Sequence, residues 1–553
     1  MTENNKAQEL NQRALKLFNS TERRNAEEQW ELIAEFMLPN QSGIFVGETH
    51  TGQVRASGNA TPGGKKTSRL FDSTAIQANS DLASAIHSTL TNPATKWSKI
   101  RFKDDALNND QESVAWLEAV NNQIHSALNE SNFDTEVAKN YKMYTSLGSM
   151  ALIHESAGDE DDANTRLKFK AVHLSEVVWE ENSEGRADTM FRRFRMTAKQ
   201  AAEQFGEENL SENARQTLMD KPSEELTFLH AIMPRKRSEI KLNELGLAAP
   251  KHRPFASLYI ELKENHIVEE GGFYEFPAHV VRWETLPGER YGRGPGHIAL
   301  PDVRTLNRAK ELGLHALNKA INPPMLATRR DVIGSLDLRP GQITVMNDIN
   351  GLRPLENTAR FDVSQFSVEE LRNSIKSMFF LDKLLLPPRT ETGEMTATEI
   401  QIRTEQMQRV LGPTLGRLNS ELLSPLIERT FKILLRSGAL PQIPALIQEQ
   451  GLDVEIVFVN QLARSQQFGD ITNIQGWVNE LGLIGQLKPE IIDWIDADGI
   501  AKHLAKVRGI PEIAVTNDDV VNDQREQRAQ QAQQQQALEA GVSMADINSK
   551  IQQ

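Results

Sequence analysis

Tyr291-Gly-Arg-Gly-Pro-Gly-His-Ile-Ala-Leu300-Pro-Asp-Val-Arg-Thr-Leu306, closed further on by Pro323-Pro324, is the stretch on which the reading of this chain turns. Gly292, Gly294 and Gly296 follow an expected strand and precede an expected helix, the outline of a dinucleotide-binding turn. The outline fails at two residues: His297 stands where the third glycine belongs, and Pro295 has no amide to offer a phosphate. No cofactor is expected. Gly292, Gly294, Pro295 and Gly296 then read as a structural turn launching a helix over 301–322, with Pro301 in its first turn and Asp302 at its positive end. At 100° per residue, Arg304, Arg308, Glu311, His315 and Lys319 form one largely basic stripe, and Val303, Leu306, Leu314, Leu317 and Ile321 cover the other faces. In a monomer the stripe is a solvated face.

Upstream, apolar spacing predicts helices over 7–38, 71–90, 111–130 and 131–147, the second capped by Asp72 or Ser73. Strands are expected at Trp97–Phe102, Ala151–His154, Leu167–Val172, in a pair around Gly185, and at Leu226–Met233, Phe255–Leu262, His266–Glu269 and His279–Trp283. Thr197 caps a short helix to Phe205. This part of the chain is therefore α+β, with helices on antiparallel sheet. Two loops imitate ligand sites. Gly63-Gly-Lys-Lys-Thr67 breaks the Gly-Lys-Ser/Thr order of a phosphate loop, and the acidic turn 158–164 lacks the alternating ligands and closing Glu of a calcium loop. Both read as solvated, and no metal site is expected.

Downstream, residues 325–361 read as a small β insertion broken by Gly334, Pro340-Gly341 and Asn350-Gly351. Ser367-Val-Glu-Glu370 is a capping box opening a second helix that Pro387-Pro388 ends. A third, very long helix starts at Thr396-Ala-Thr-Glu399, bends at Gly412-Pro413, continues through Leu415, Leu418, Leu422 and Leu426, and stops at Gly438. Then come a strand over 452–460, short helices over 470–507 bearing Trp477 and Trp494, and a glutamine-rich tail from Asp523, either disordered or a polar helix needing neighbouring copies.

Composition narrows the functional classes. The chain has 553 residues and no cysteine, which removes disulfides and thiolate metal sites. No apolar run approaches a membrane span, and the polar N-terminus does not read as a signal peptide. A formal charge of −14 argues against a broad basic grip on nucleic acid, though not against a wall past which a duplex slides. No catalytic constellation is visible, and an enzyme is not expected.

Three segments in order carry a resemblance: the turn at 291–296 leading into 300–306, Arg389-Thr-Glu-Thr-Gly-Glu-Met-Thr-Ala-Thr-Glu-Ile400, and Glu421-Leu-Leu-Ser-Pro-Leu-Ile427; Phe71-Asp-Ser-Thr-Ala75 to Trp97 also fits. Together they resemble the portal, or head-to-tail connector, proteins of short-tailed double-stranded DNA phages. The likeness spans about 10–510; Thr392 is one residue extra in its loop, and the tail has no fixed family pattern.

The resemblance implies a ring of twelve copies at one capsid vertex, assembled in the host cytoplasm. It implies a wing over 1–300, stem helices over 301–322 and 362–384, a clip over 323–361 and a tunnel loop over 385–397. The long kinked helix and a return strand would occupy 398–460, crown helices 461–522, and the tail 523–553. Implied partners are other copies, the terminase large subunit, tail adaptor or nozzle proteins, major capsid and scaffolding proteins, internal core proteins, and double-stranded DNA read without sequence preference, with no membrane contact. Arg372, Lys376, Lys383, Arg389, Glu391 and Glu394 become candidate channel or stem contacts, touching phosphates or forming ion pairs between subunits. In a ring, the stripe of Arg304, Arg308, His315 and Lys319 can face an acidic neighbour or the tunnel. A packaging ATPase would need a Walker lysine and an acidic partner strand, and neither is present. An internal virion or scaffold protein would lack the helix, β insertion, helix, loop order.

Overall fold

The computed structural model describes residues 3–45, 67, 69–104, 107–108, 110–158, 166–241, 243, 247–321, 323–327, 352–354, 361–384, 412, 414–450, 454–458, 474–484, 494–508, 520–521 and 523–531; of these, 325, 327, 352–354, 361–367, 383–384, 449–450, 503 and 506–508 are described by backbone alone. The chain forms two compact units, Met1–Asn460 and Gln461–Gln553.

The first unit is mixed helix and antiparallel sheet. Its centre is a five-stranded meander of β4 (Val177–Glu181), β5 (Ala187–Thr197), β6 (Glu225–Pro234), β7 (Phe255–Glu261) and β8 (His266–Phe273), in that order. Alternation along the strands serves two cores. On β6, Leu229 and Ala231 face a cluster with Ala7, Leu10, Ala14 and Phe18 of α1 (Glu3–Phe18). Leu226 and Phe228 face the other way, toward Ala198, Ala201 and Phe205 of α6 (Ala198–Phe205) and Ala214 of α7 (Glu212–Asp220). Thr197 and Gln200 complete a reciprocal capping box at the start of α6.

A three-stranded sheet, β3 (Leu167–Val172), β2 (Ser149–Ser156), β9 (Ala278–Arg282), lies between helices, and every residue of β9 is buried. α3 (Thr74–Leu90) and α5 (Phe133–Leu147) pack together, with α4 (Gln111–Glu130) between them in sequence and α5 against β2. β1 (Ser98–Phe102) pairs with β12 (Val454–Phe458), so the segment after the long helix returns to the body. The antiparallel pair β10 (Met325–Ala327) and β11 (Leu352–Pro354) brings the chain leaving α8 (Pro295–Ile321) back toward α9 (Phe361–Met378). In the second unit, residues 474–484 are helical, and Asp498 of α13 (Ala497–Arg508) pairs with Arg525 at 2.6 Å. α10 (Leu381–Leu384), α11 (Ser424–Arg436) and α12 (Ala445–Gln450) complete the described helices with labels.

Several expectations need correcting. The helix over 7–38 is two, α1 and α2 (Thr21–Met37), because the Ser20 hydroxyl accepts from the Arg23 amide (3.3 Å) and restarts the chain. The helix expected from Pro301 begins at Pro295, leaving Pro301 inside it. Ser367 lies within α9 rather than at its start, and α9 ends at Met378, followed by Phe380 in the left-handed region (φ 58°), before Pro387. The long helix carries a π-turn over Asn419–Leu423, ahead of Pro425. Pro425 cannot donate to the Glu421 carbonyl, and its ring would clash with that carbonyl in a regular α ladder; instead the Ser424 amide reaches Asn419. The loop at 63–66, the acidic turn at 159–164, Gln342–Met346, the loop with Arg389, Glu391 and Glu394, and the capping box at 396–399 lie outside the described residues.

Candidate functional site

The opening stretch is a joint. At the C-terminus of α5, Gly148 adopts φ 71° and lies against the backbone of Gly292 and Gly294. A Cβ on Gly294 would stand 2.9 Å from the Gly148 Cα, and one on Gly292 or Gly296 would enter the backbone of Gly148 or Ser146. These glycines therefore serve close backbone contact between segments far apart in sequence. Three amides in the turn are engaged. Gly292 donates to the Ser149 hydroxyl (2.9 Å), Arg293 to the Glu284 carbonyl (2.8 Å), and Gly294 to His297 Nδ1 (3.2 Å). These three amides are therefore committed to partners within the chain.

Gly294 precedes the helix, Pro295 takes its first position, where a missing amide costs nothing, and His297 is the third. His297 fills the place Glu or Gln takes in a capping box, accepting the amide before the helix. The residue that spoiled the cofactor motif is thus a helix cap. Burial, then the Arg293 guanidinium, push its pKa down to about 4, which keeps Nδ1 free to accept.

Tyr291 anchors the turn from the other side. Its ring meets Trp30 edge-on at 5.2 Å and Trp179 at 4.8 Å, with the Arg23 guanidinium 5.5 Å away. Arg23 is fully buried, donating to the carbonyls of Leu174 (2.6 Å) and Val177 (3.2 Å) and to Glu27 (2.7 Å), so α2 is clamped to the start of β4. This Arg was not singled out in the sequence.

From this joint the helix pair departs. Asn307 Oδ1 accepts the amides of Phe71 (2.9 Å) and Asp72 (3.1 Å). Asp72 caps the Thr74 amide (2.9 Å) and takes two bonds from Arg372 (2.7 and 3.1 Å). Burial raises the Asp72 pKa, but the Thr74 hydrogen bonds and Arg372 outweigh it and hold the carboxyl below its ordinary value. Ser374 adds a bond from α9 to Asp302 of α8 (2.7 Å).

The expected contacts therefore part ways. Arg372, on α9, binds a carboxylate of its own chain, that of Asp72 at the N-terminus of α3. Lys376 is exposed without an ion-pair partner among the described residues. Lys383 lies on α10 and is itself described by its backbone alone. Arg304, His315 and Lys319 are exposed, and Arg308 pairs with Glu311 at 2.6 Å. The apolar faces of α8 divide along its length: Val303 and Leu306 are buried, whereas Leu314 is 53% and Ile321 68% exposed.

A second anchor ties the long helix to the sheet. Glu421, in the π-turn, accepts from the Arg282 amide (2.9 Å) and guanidinium (2.7 Å), and Arg417 next to it donates to Thr285 (2.7 Å). Further on, buried Arg429 bonds the His154 and Glu275 carbonyls (3.1 and 3.0 Å). Among the described residues no cluster of His, Asp or Glu could hold a metal ion.

The model of the bacteriophage head to tail connecting protein family matches residues 7–515. The chain is 28% identical over 510 residues to the probable portal protein of Bordetella phage BPP-1, covering 90% of this chain and 87% of that one. It is 27% identical over 533 residues to the portal protein of Salmonella phage epsilon15, covering 95% and 92%. With the family model matching nearly the whole length, this chain belongs to the bacteriophage head-to-tail connecting proteins.

Proposed function

We propose that this chain is the subunit of a portal ring at one vertex of a phage head. Twelve copies surround a channel through which double-stranded DNA enters during packaging and leaves at ejection. The ring docks the terminase during filling and the tail adaptors afterwards, alongside capsid, scaffolding and internal core proteins. In this reading the body is the wing, α8 and α9 are the stem, the β10–β11 connection belongs to the clip, and 385–397 is the tunnel loop. The observation that carries it is the head-to-tail match over 7–515. The apolar stripe that buries Val303 and Leu306 also runs on bare through Leu314, Leu317 and Ile321, a surface that neighbouring copies would cover. A charge of −14 per copy, repeated around a ring, gives the assembly a net charge of the same sign as DNA, which disfavours sticking.

Negative-stain microscopy of the purified full chain tests this. Rings of twelve with a central hole are expected. Monomers that hydrolyse ATP would overturn the reading in favour of a packaging enzyme.

A further inference from the structure

We propose that neighbouring copies lock head-to-tail through one ionic contact, Arg304 and Arg308 on α8 of one copy against Glu369 on α9 of the next. This rests on the ring reading and adds to it the pairing and its direction.

The axial register comes first. Ser374 donates to Asp302, while Arg372, two residues earlier on α9, reaches Asp72, whose amide is held by Asn307, further along α8. Numbers fall on one helix as they rise on the other, so the pair is antiparallel. Stepping back five residues from Ser374 to Glu369 moves about 7.5 Å, from the level of Asp302 to that of Asn307. Glu369 therefore stands at a height between Arg304 and Arg308.

The azimuth agrees. Asp302 marks the side of α8 toward α9, and at about 100° per residue Arg304 and Arg308 centre roughly 140° from it. Ser374 marks the side of α9 toward α8, and Glu369 lies roughly 140° from it. With the helices antiparallel, these turns run in opposite senses. The two faces thus point outward on opposite flanks of the pair, both away from the side where Val303, Leu306, Val368 and Ile375 are buried.

The charges are also available. Arg308 is 65% and Glu369 59% exposed, and their partners Glu311 (2.6 Å) and Arg372 (3.5 Å) are local i,i+3 contacts worth little in water. Arg304 is exposed and has no ion-pair partner among the described residues. A two-fold dimer through the α8 face would set arginines on arginines. The head-to-tail arrangement sets the arginines of one copy on the glutamate of the next, and repeated with a rotation that closes it generates a ring.

The test uses the purified full chain, with circular dichroism to verify folding and mass photometry plus microscopy to count rings. Arg304→Glu and Glu369→Lys should each lower the ring fraction about tenfold or more, and the two combined in one chain should restore it. Folded single variants that still form rings as the wild type does would overturn the pairing while leaving the ring reading intact. If a reversal variant fails to fold, Arg304→Gln with Arg308→Gln decides. Rings that dissociate at lower NaCl than wild type support the pairing, and an unchanged salt midpoint overturns it. A wild-type chain that forms no ring overturns the ring reading, and the pairing with it.

Discussion

Acidification should weaken the joint through His297, and one substitution isolates the effect. The folded pKa of His297 is about 4 against an ordinary 6.5, with burial the main cause. The neutral ring is what accepts the Gly294 amide. Because the folded value is depressed, the stabilisation is complete above pH 6.5 and is lost as the pH falls toward 4. Between those values the unfolded chain takes up a proton that the folded chain refuses. At pH 5 the difference amounts to about 2 kcal/mol. His230 and His279, each held near 3 by burial, act with the same sign; Glu261 and Glu269, raised by burial, act with the opposite sign. All of these cancel when wild type is compared with His297→Gln, whose amide oxygen can still cap Gly294 but cannot titrate. Urea denaturation of both chains at pH 7.5 and 5.0, at one protein concentration, measures the double difference. The variant should lose about 2 kcal/mol less than wild type on acidification. Equal losses would refute both the neutral cap and the burial argument behind it.

Three further outcomes are expected. Asp72→Ala removes the carboxylate shared by the α3 cap and Arg372 and should cost about 2–4 kcal/mol in thermal or chemical denaturation at pH 7. In wild type the part of this contribution linked to the carboxylate's charge is complete well above the ordinary 3.8 and is lost as the pH falls from there through the depressed Asp72 pKa. Gly296→Ala places a methyl group in the Ser146 backbone and should cost about 3 kcal/mol or leave the chain insoluble, read by soluble yield and melting temperature. Glu421→Ala leaves the guanidinium of Arg282, 8% exposed in its side chain, short of one of its two carboxylates and should cost about 3 kcal/mol by the same measurements.

The sheets were legible in the sequence because their signal is local. Strands such as Leu226–Met233 alternate in hydrophobicity, and both faces of β6 are in fact covered. Helix bodies were legible for the same reason, but their ends were not. Ser20 is one serine among many until its hydroxyl is seen on the Arg23 amide. Ser367 has the spelling of a cap, yet the helix already runs through it. The π-turn had a readable cause, since Pro425 four residues after Glu421 forbids a regular ladder there, but apolar spacing alone passed over it. For the site, the glycine turn could be read from residue types. The roles of Arg23, His297 and Arg372 could not. Their partners lie in another turn of chain: Arg372 meets a carboxylate 300 positions away, which no spacing rule reaches.

The contact between Gly148 and the turn at 292–296 has a consequence for how this chain can vary. An overpacked pair of side chains can usually be relieved by shrinking one partner after the other has grown. Here the opposing atoms are backbone, and Gly148, Gly292 and Gly294 already carry no side chain. A larger residue on one strand of the contact leaves nothing on the other to trim, so no second-site change in side-chain size can compensate. Such positions can only be kept, or lost together with the joint they close.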